Sequence, residues 1–197
     1  MRLDSKFYEQ SALSVAKKLL GKHLVRNIGG HKIITKIVET EAYCGPEDKA
    51  CHAFDNRRTP RTETMFMSGG HAYVYLIYGL NHCLNIVTEK NDVPHAVLIR
   101  AVEPVEGLDL IKKNRPLIKN IHDLTNGPGK LTKALNINMN LNRYDMIKGN
   151  ELYIENNPEN SDISIVKTKR VNIDYAGEFK DKPWRFYIKD NPFVSKK

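Results

Sequence analysis

Glu39, Glu41 and Tyr43 alternate along the segment KIVETEAY, and the two-residue period of a strand places them with Ile37 on one face. Two carboxylates on one strand face have two readings. They mark a strand leaving the core for solvent, since charged side chains are normally exposed, or they supply a general base or a metal ligand. Glu47, Asp48 and His52 follow closely, so a carboxylate and histidine site for Mg²⁺ or Mn²⁺, cutting a phosphodiester backbone, is a rival use of the same residues. The spacing does not demand a metal. Cys51-His52 and His82-Cys83 lack the close C-x₂₋₄-C pairs of structural zinc, and no organic cofactor is called for by any motif.

The segment HAYVYLIYGLNHCLNIV carries a second kind of chemistry. Tyr73 and Tyr75 share a strand face, and Tyr78 precedes Gly79, where a hairpin turn is expected. Aromatic strand residues ordinarily fill a core or pair across strands. On a cationic protein, a ring protruding at a turn is also what wedges between base pairs and fills the gap left by an extruded nucleotide. Phosphate contacts for such a role are available from Arg57, Arg58 and Arg61 in FDNRRTPRTETMF, and from Lys130 and Lys133 in NGPGKLTK. A solvated loop and an ordinary helix start explain those two segments equally well. GPGK lacks the full G-x-x-x-x-G-K-[ST] pattern, which argues against nucleoside triphosphate binding.

Positioning these residues requires a full core, and a chain of 197 residues with 41% hydrophobic and 27% charged content has one. No Pro- or Gly-rich linker or internal repeat divides it, so residues 1–197 read as a single domain. Ser11 opens an amphipathic helix over ALSVAKKLLG, and Gly29-Gly30 turns a hairpin into a strand from about Lys32 to Tyr43. HAVLIRAVEP reads as a strand ending at Pro104. VEGLDLIKKNR and PGKLTKALNI read as helices, and ELYIEN, ISIVKTKRVNI and WRFYIKD as closing strands. Neighbouring strand runs with helices between groups predict an α+β fold on an antiparallel sheet. The formal charge of +8 biases the protein toward polyanions. Three cysteines, no run of about 20 apolar residues and an N-terminus without an apolar core predict a protein of a reducing, cytoplasmic compartment, with no membrane association.

VETEAYCGPEDKACHA, TPRTETMFMSGGHAYVYLIYGLNHCLNI, VLIRAVEPVEG and NGPGKLTKAL occur in this order, and the chain ends in AGEF, KPWRFYI and NPFVS. Together they closely resemble the alkyladenine (3-methylpurine) DNA glycosylase family, monofunctional enzymes that excise damaged purines from duplex DNA. The likeness runs from about Ala12 to Ser195. It implies a single-domain fold with a curved antiparallel sheet, flanking helices and a protruding hairpin that enters the minor groove. It also implies a monomer acting on double-stranded DNA, nucleoid-associated in a bacterium, without a metal or cofactor. By the same resemblance Glu41 is the general base, which leaves Glu39 as a supporting or structural residue, and Arg100 helps hold the catalytic water. Tyr43, His52 and Tyr75 are the aromatic walls of the base pocket, Asn85 lies at its floor, and Tyr78 intercalates. The segment between Asn85 and Arg100 is slightly longer than in the family's usual form, which alters a loop and leaves the register at V-L-I-R-A intact.

One carboxylate suffices for this chemistry. Breaking an N-glycosidic bond builds positive charge at C1′, so a carboxylate beside a water both accepts its proton and stabilises the cation. Glycoside hydrolases add an acid because an alkoxide leaves poorly. A purine methylated at N3 or N7 leaves without one, whereas hypoxanthine or ethenoadenine needs a proton. Two further rivals are a non-catalytic nucleic-acid binding module, for which Glu41 is dispensable, and a bifunctional lyase, which needs a pocket lysine that the matched residues do not include.

Overall fold

The computed structural model describes residues 1–77, 79–158 and 163–196. Its centre is β2 (His31–Cys44), 14 residues long, which the hairpin at Gly29-Gly30 joins to β1 (His23–Ile28). Gly29 and Gly30 both sit at positive φ (54° and 82°), the conformation such a turn requires. β1 covers the first half of β2 on one edge, β8 (Arg185–Ile188) covers residues 39–41 on the same edge, and β5 (His95–Glu106) runs along the other. β3 (Ala72–Ile77) and β4 (Asn81–Thr88) form the hairpin beyond β5, while β6 (Leu152–Glu155) extends past β1 and β7 (Ile165–Thr168) pairs with β8. The result is an eight-stranded antiparallel sheet with a few helices, the α+β class expected.

The helix expected after Ser11 is present as α2 (Ala12–Leu19), following the short α1 (Ser5–Tyr8). Ser11 caps it by accepting a hydrogen bond from the Ser14 N–H. Ala12, Val15, Ala16 and Leu19 are fully buried against the sheet, so Leu19→Ala removes packing of about 2–5 kcal/mol. α3 (Leu108–Asn114) and α4 (Pro128–Ala134) occupy the two later helical segments. Gly129 in α4 approaches Asn81 so closely that a Cβ there would lie 2.9 Å from the Asn81 Cβ, which brings α4 against the turn end of the β3–β4 hairpin. β5 continues two residues past Pro104, and of ISIVKTKRVNI only Ile165–Thr168 is strand.

One expectation is corrected. Ile37 does not share a face with Glu39, Glu41 and Tyr43. The β2–β5 register shifts between Ile37 and Glu39 and again between Glu39 and Thr40, where Ile37 opposes Val102, Glu39 opposes Ala101 and Thr40 opposes Ile99. An extra residue in a strand flips everything beyond it. Ile37 therefore packs with Ala42 in the main core, and Thr40 Oγ1 donates to the Ala16 carbonyl of α2 at 2.9 Å. Val38 packs instead with Ala101 and Phe193.

Candidate active site

Both strand glutamates are fully buried, so the reading in which they run out to solvent does not hold. Burying a carboxylate is costly unless it is paired and hydrogen-bonded, and each has partners. Glu39 Oε1 accepts from Arg100 Nε at 3.1 Å and Arg185 Nη1 at 2.6 Å, while Oε2 accepts from the Ser195 backbone N–H at 2.7 Å. Glu41 Oε1 accepts from the Val171 N–H at 2.8 Å and lies 3.3 Å from Arg100 Nη1; its Oε2 accepts from the Tyr43 hydroxyl at 2.8 Å. Arg100 stands on β5 where the register shifts skip it, opposite the gap between Glu39 and Thr40, so one guanidinium reaches both carboxylates. Burial disfavours its charge, but Glu41 and Glu39 outweigh that and raise its pKa.

Asp48 is the third buried acid. It forms a two-pronged pair with Arg170, Nη2 to Oδ1 at 2.8 Å, and also accepts the Ala50 N–H at 3.0 Å. Arg170 lies 4.7 Å from the Tyr43 ring centroid and 5.0 Å from that of Trp184. Asp48, Glu39 and Glu41 thus each face a guanidinium, and among the described residues no three His, Cys, Asp or Glu side chains form a group that could hold a metal ion.

Beside these acids lies a small cavity of about 40 Å³, lined by Tyr43, His52, Tyr73, Tyr75, Asn85 and Tyr175 among others. The sequence-based wall residues Tyr43, His52 and Tyr75 and the floor residue Asn85 therefore converge. His52 and Tyr75 meet edge to face with centroids 4.7 Å apart. Asn85 Nδ2 donates to the Tyr73 carbonyl at 3.2 Å, an arrangement set by the pairing of Tyr73 with Asn85 across the hairpin. Burial, reinforced by the Arg61 charge, pushes the His52 imidazole down to about 4, so it is neutral at physiological pH. Burial and the adjacent Glu41 charge hold the Tyr43 phenol well above its ordinary value, so it keeps the proton that it donates to Glu41. Glu41 and Arg100 stand behind the cavity, connected to it through Tyr43.

Two aromatic residues of the pocket were not assigned from sequence. Tyr73 pairs with His52 Nδ1 at 2.9 Å; its alternation with Tyr75 was the available signal. Tyr175, 71% exposed at the mouth, comes from a segment with no local signal. Its neighbours across the mouth are cationic: a groove continuous with the cavity is lined by Lys49, Arg57 and Arg61, and the Arg61 guanidinium sits 5.2 Å from the Tyr75 centroid. Arg58 points elsewhere, to Glu63 at 2.7 Å and Asp92 at 2.8 Å. Lys130 is held by Asn126 at 2.7 Å and Asp123 at 3.3 Å, and with exposed Lys133 it borders a separate groove beside Asn81. The assignment of Tyr78 lies outside the described residues; after it, Leu80 is 76% exposed.

An aromatic pocket backed by a held carboxylate narrows the chemistry, and comparison with known proteins decides the family. The family model for methylpurine-DNA glycosylase (MPG) matches residues 6–192. The chain belongs to the methylpurine-DNA glycosylase family. Proteins named "Putative 3-methyladenine DNA glycosylase" are similar along their whole length. That of Natranaerobius thermophilus is 55% identical over 196 residues, covering 99% of each chain. Those of Alkaliphilus oremlandii and Clostridium perfringens are 52% and 50% identical, each covering 100% of both chains. This methylpurine-DNA glycosylase family member is accordingly a DNA glycosylase, a hydrolase of N-glycosyl bonds. No helix among the described residues is long and apolar enough to cross a membrane.

Proposed function

We propose that this glycosylase extrudes damaged purines, 3-methyladenine among them, from duplex DNA into the aromatic cavity and hydrolyses the N-glycosidic bond with a water activated by Glu41. The observation that carries the reading is the setting of Glu41. It is a fully buried carboxylate, held on Oε1 by Arg100 and the Val171 N–H and on Oε2 by Tyr43, directly behind a cavity of stacking rings. A carboxylate oxygen has two lone pairs, so Oε2 with one donor retains acceptor capacity for a water proton. Tyr43, His52 and Tyr75 would stack on the purine, each contributing about 0.5–2 kcal/mol. Asn85 would bound the pocket floor, and Tyr78 would fill the vacated stack and offset part of the few kcal/mol that extrusion costs. Arg57 and Arg61, beside the cavity mouth, are the cations best placed for the flanking phosphates. The enzyme works on double-stranded DNA as a monomer, in the cytoplasm or on the nucleoid.

The test is excision from end-labelled duplexes carrying hypoxanthine or ethenoadenine, and from methylated DNA, in EDTA, followed by hot alkali. Alkali-dependent breaks that disappear in Glu41→Gln support the reading. Breaks made before alkali in EDTA indicate a lyase, breaks that appear only when Mg²⁺ replaces EDTA indicate a nuclease, and salt-sensitive binding without breaks on any substrate indicates a binding module.

A further inference from the structure

Glu39 lies two residues before Glu41, is fully buried, and joins three parts of the chain. Arg100 reaches it from β5, Arg185 from β8, and the Ser195 N–H from the C-terminal segment. That segment is anchored independently. Phe193 packs on Val38 and Ala101, Arg185 Nη1 donates to the Lys196 carbonyl at 2.8 Å, and Arg100 Nη2 lies 3.4 Å from Ser195 Oγ. Glu39 takes Arg100 by Nε, and this fixes the plane of a guanidinium whose Nη1 faces Glu41. The arrangement follows from the bulged register, which turns Val38 toward Phe193 and leaves Arg100 between the two glutamates.

We propose that Glu39, with the backbone N–H of Ser195, is a positioning residue of the excision site: it orients Arg100 toward Glu41 and takes up part of the positive charge that would otherwise act on Glu41 alone. This rests on Glu41 being the base. The charged and titratable groups around the two acids are Arg100, Arg185, Arg170, Tyr43 and Cys83. Removing the Glu39 charge leaves Arg100 and Arg185 less compensated, so Glu41 holds a proton less readily and is a weaker base. An amide at position 39 offers one acceptor oxygen to three donors that now share two, so the Arg100 guanidinium is held less firmly and misplaces whatever Glu41 and Arg100 hold between them. The effect therefore falls on the chemical step and its pH dependence, not on binding of the lesion.

The experiment measures single-turnover excision at saturating enzyme across pH, with binding of the same lesion duplex, for Glu39→Gln, Glu39→Asp, Ser195→Pro, Ser195→Ala and Glu41→Gln. Ser195→Pro removes the N–H donor in the full-length chain, whereas Ser195→Ala removes only the hydroxyl. Glu39→Gln is expected to lose about 100-fold in rate, to bind within about 3-fold of wild type (~0.6 kcal/mol, RT ln 3), and to move the rising limb of the profile to lower pH by at least about half a unit. Glu39→Asp, which keeps the charge, restores the limb. Ser195→Pro slows excision more than Ser195→Ala. A folded Glu39→Gln with wild-type rate, or with a slower rate and an unmoved limb, overturns the proposal. If Glu39→Gln does not fold, the two Ser195 variants decide, and equal rates overturn it. Undiminished excision by Glu41→Gln overturns the base assignment itself, whereas an inactive Glu41→Gln beside a wild-type-like Glu39→Gln overturns this proposal alone.

Discussion

The Tyr43 hydroxyl donates to Glu41 Oε2 across 2.8 Å, so one side chain serves as a wall of the cavity and as a ligand of the carboxylate behind it. A hydrogen bond to a charged acceptor contributes about 1.5–3 kcal/mol and favours the ionised form. Tyr43→Phe keeps the ring and loses the donor. Its rising pH–rate limb is expected about one unit higher than wild type, with lesion binding little changed. The direction is opposite to that expected of Glu39→Gln, and pH profiles of the two variants side by side check both.

The pocket histidine gives stability a pH dependence. His52 is held at about 4 against an ordinary 6.5, so between those values the unfolded chain binds a proton that the folded one does not. Stability from this group is complete above 6.5 and is lost as pH falls toward 4, by up to on the order of 3 kcal/mol. Thermal unfolding across that window should show a loss that His52→Gln lacks.

Asp48 and Arg170 are both buried and lock the loop bearing His52 to the segment bearing Val171. Asp48→Ala strands a guanidinium between the Tyr43 and Trp184 rings and is expected to cost about 3–5 kcal/mol in denaturant unfolding. Asp48→Leu combined with Arg170→Met, which removes both charges, should recover much of that loss.

Salt dependence separates the surface arginines. Arg57 and Arg61 border the cavity mouth, whereas Arg58 is neutralised by Glu63 and Asp92. Each phosphate contact contributes about one to the slope of log K against log salt. Arg57→Ala and Arg61→Ala should each flatten the slope by about that much, and Arg58→Ala should leave it nearly unchanged.

The leaving group should set the acid side of catalysis. A purine methylated at N3 or N7 departs neutral without a proton, whereas hypoxanthine or ethenoadenine needs one. Both kinds of substrate should show the rising limb lost in Glu41→Gln, with a falling limb at high pH only for the neutral lesions. Single-turnover profiles on the two kinds of duplex measure this, and equal falling limbs would contradict it.

Local pattern and composition determined much of this protein by themselves. β-Branched runs around Gly29-Gly30 specified the central hairpin, Ser11 and the apolar spacing after it specified α2, and the ordered motifs marked Glu41, Arg100 and the pocket aromatics. Such features are legible because hydrogen bonds between near neighbours and a periodic apolar face are written within a few residues. Only the tertiary structure decided which side Ile37 faces, because a register shift depends on the partner strand and leaves no trace in the period of β2. It alone decided that Glu39 and Glu41 are buried, since their neutralising partners Arg100 and Arg185 come from 59 to 146 positions away along the chain. Charge pairing in a low-dielectric interior depends on distance in space, and the sheet sets that distance by laying β5 and β8 on either side of β2.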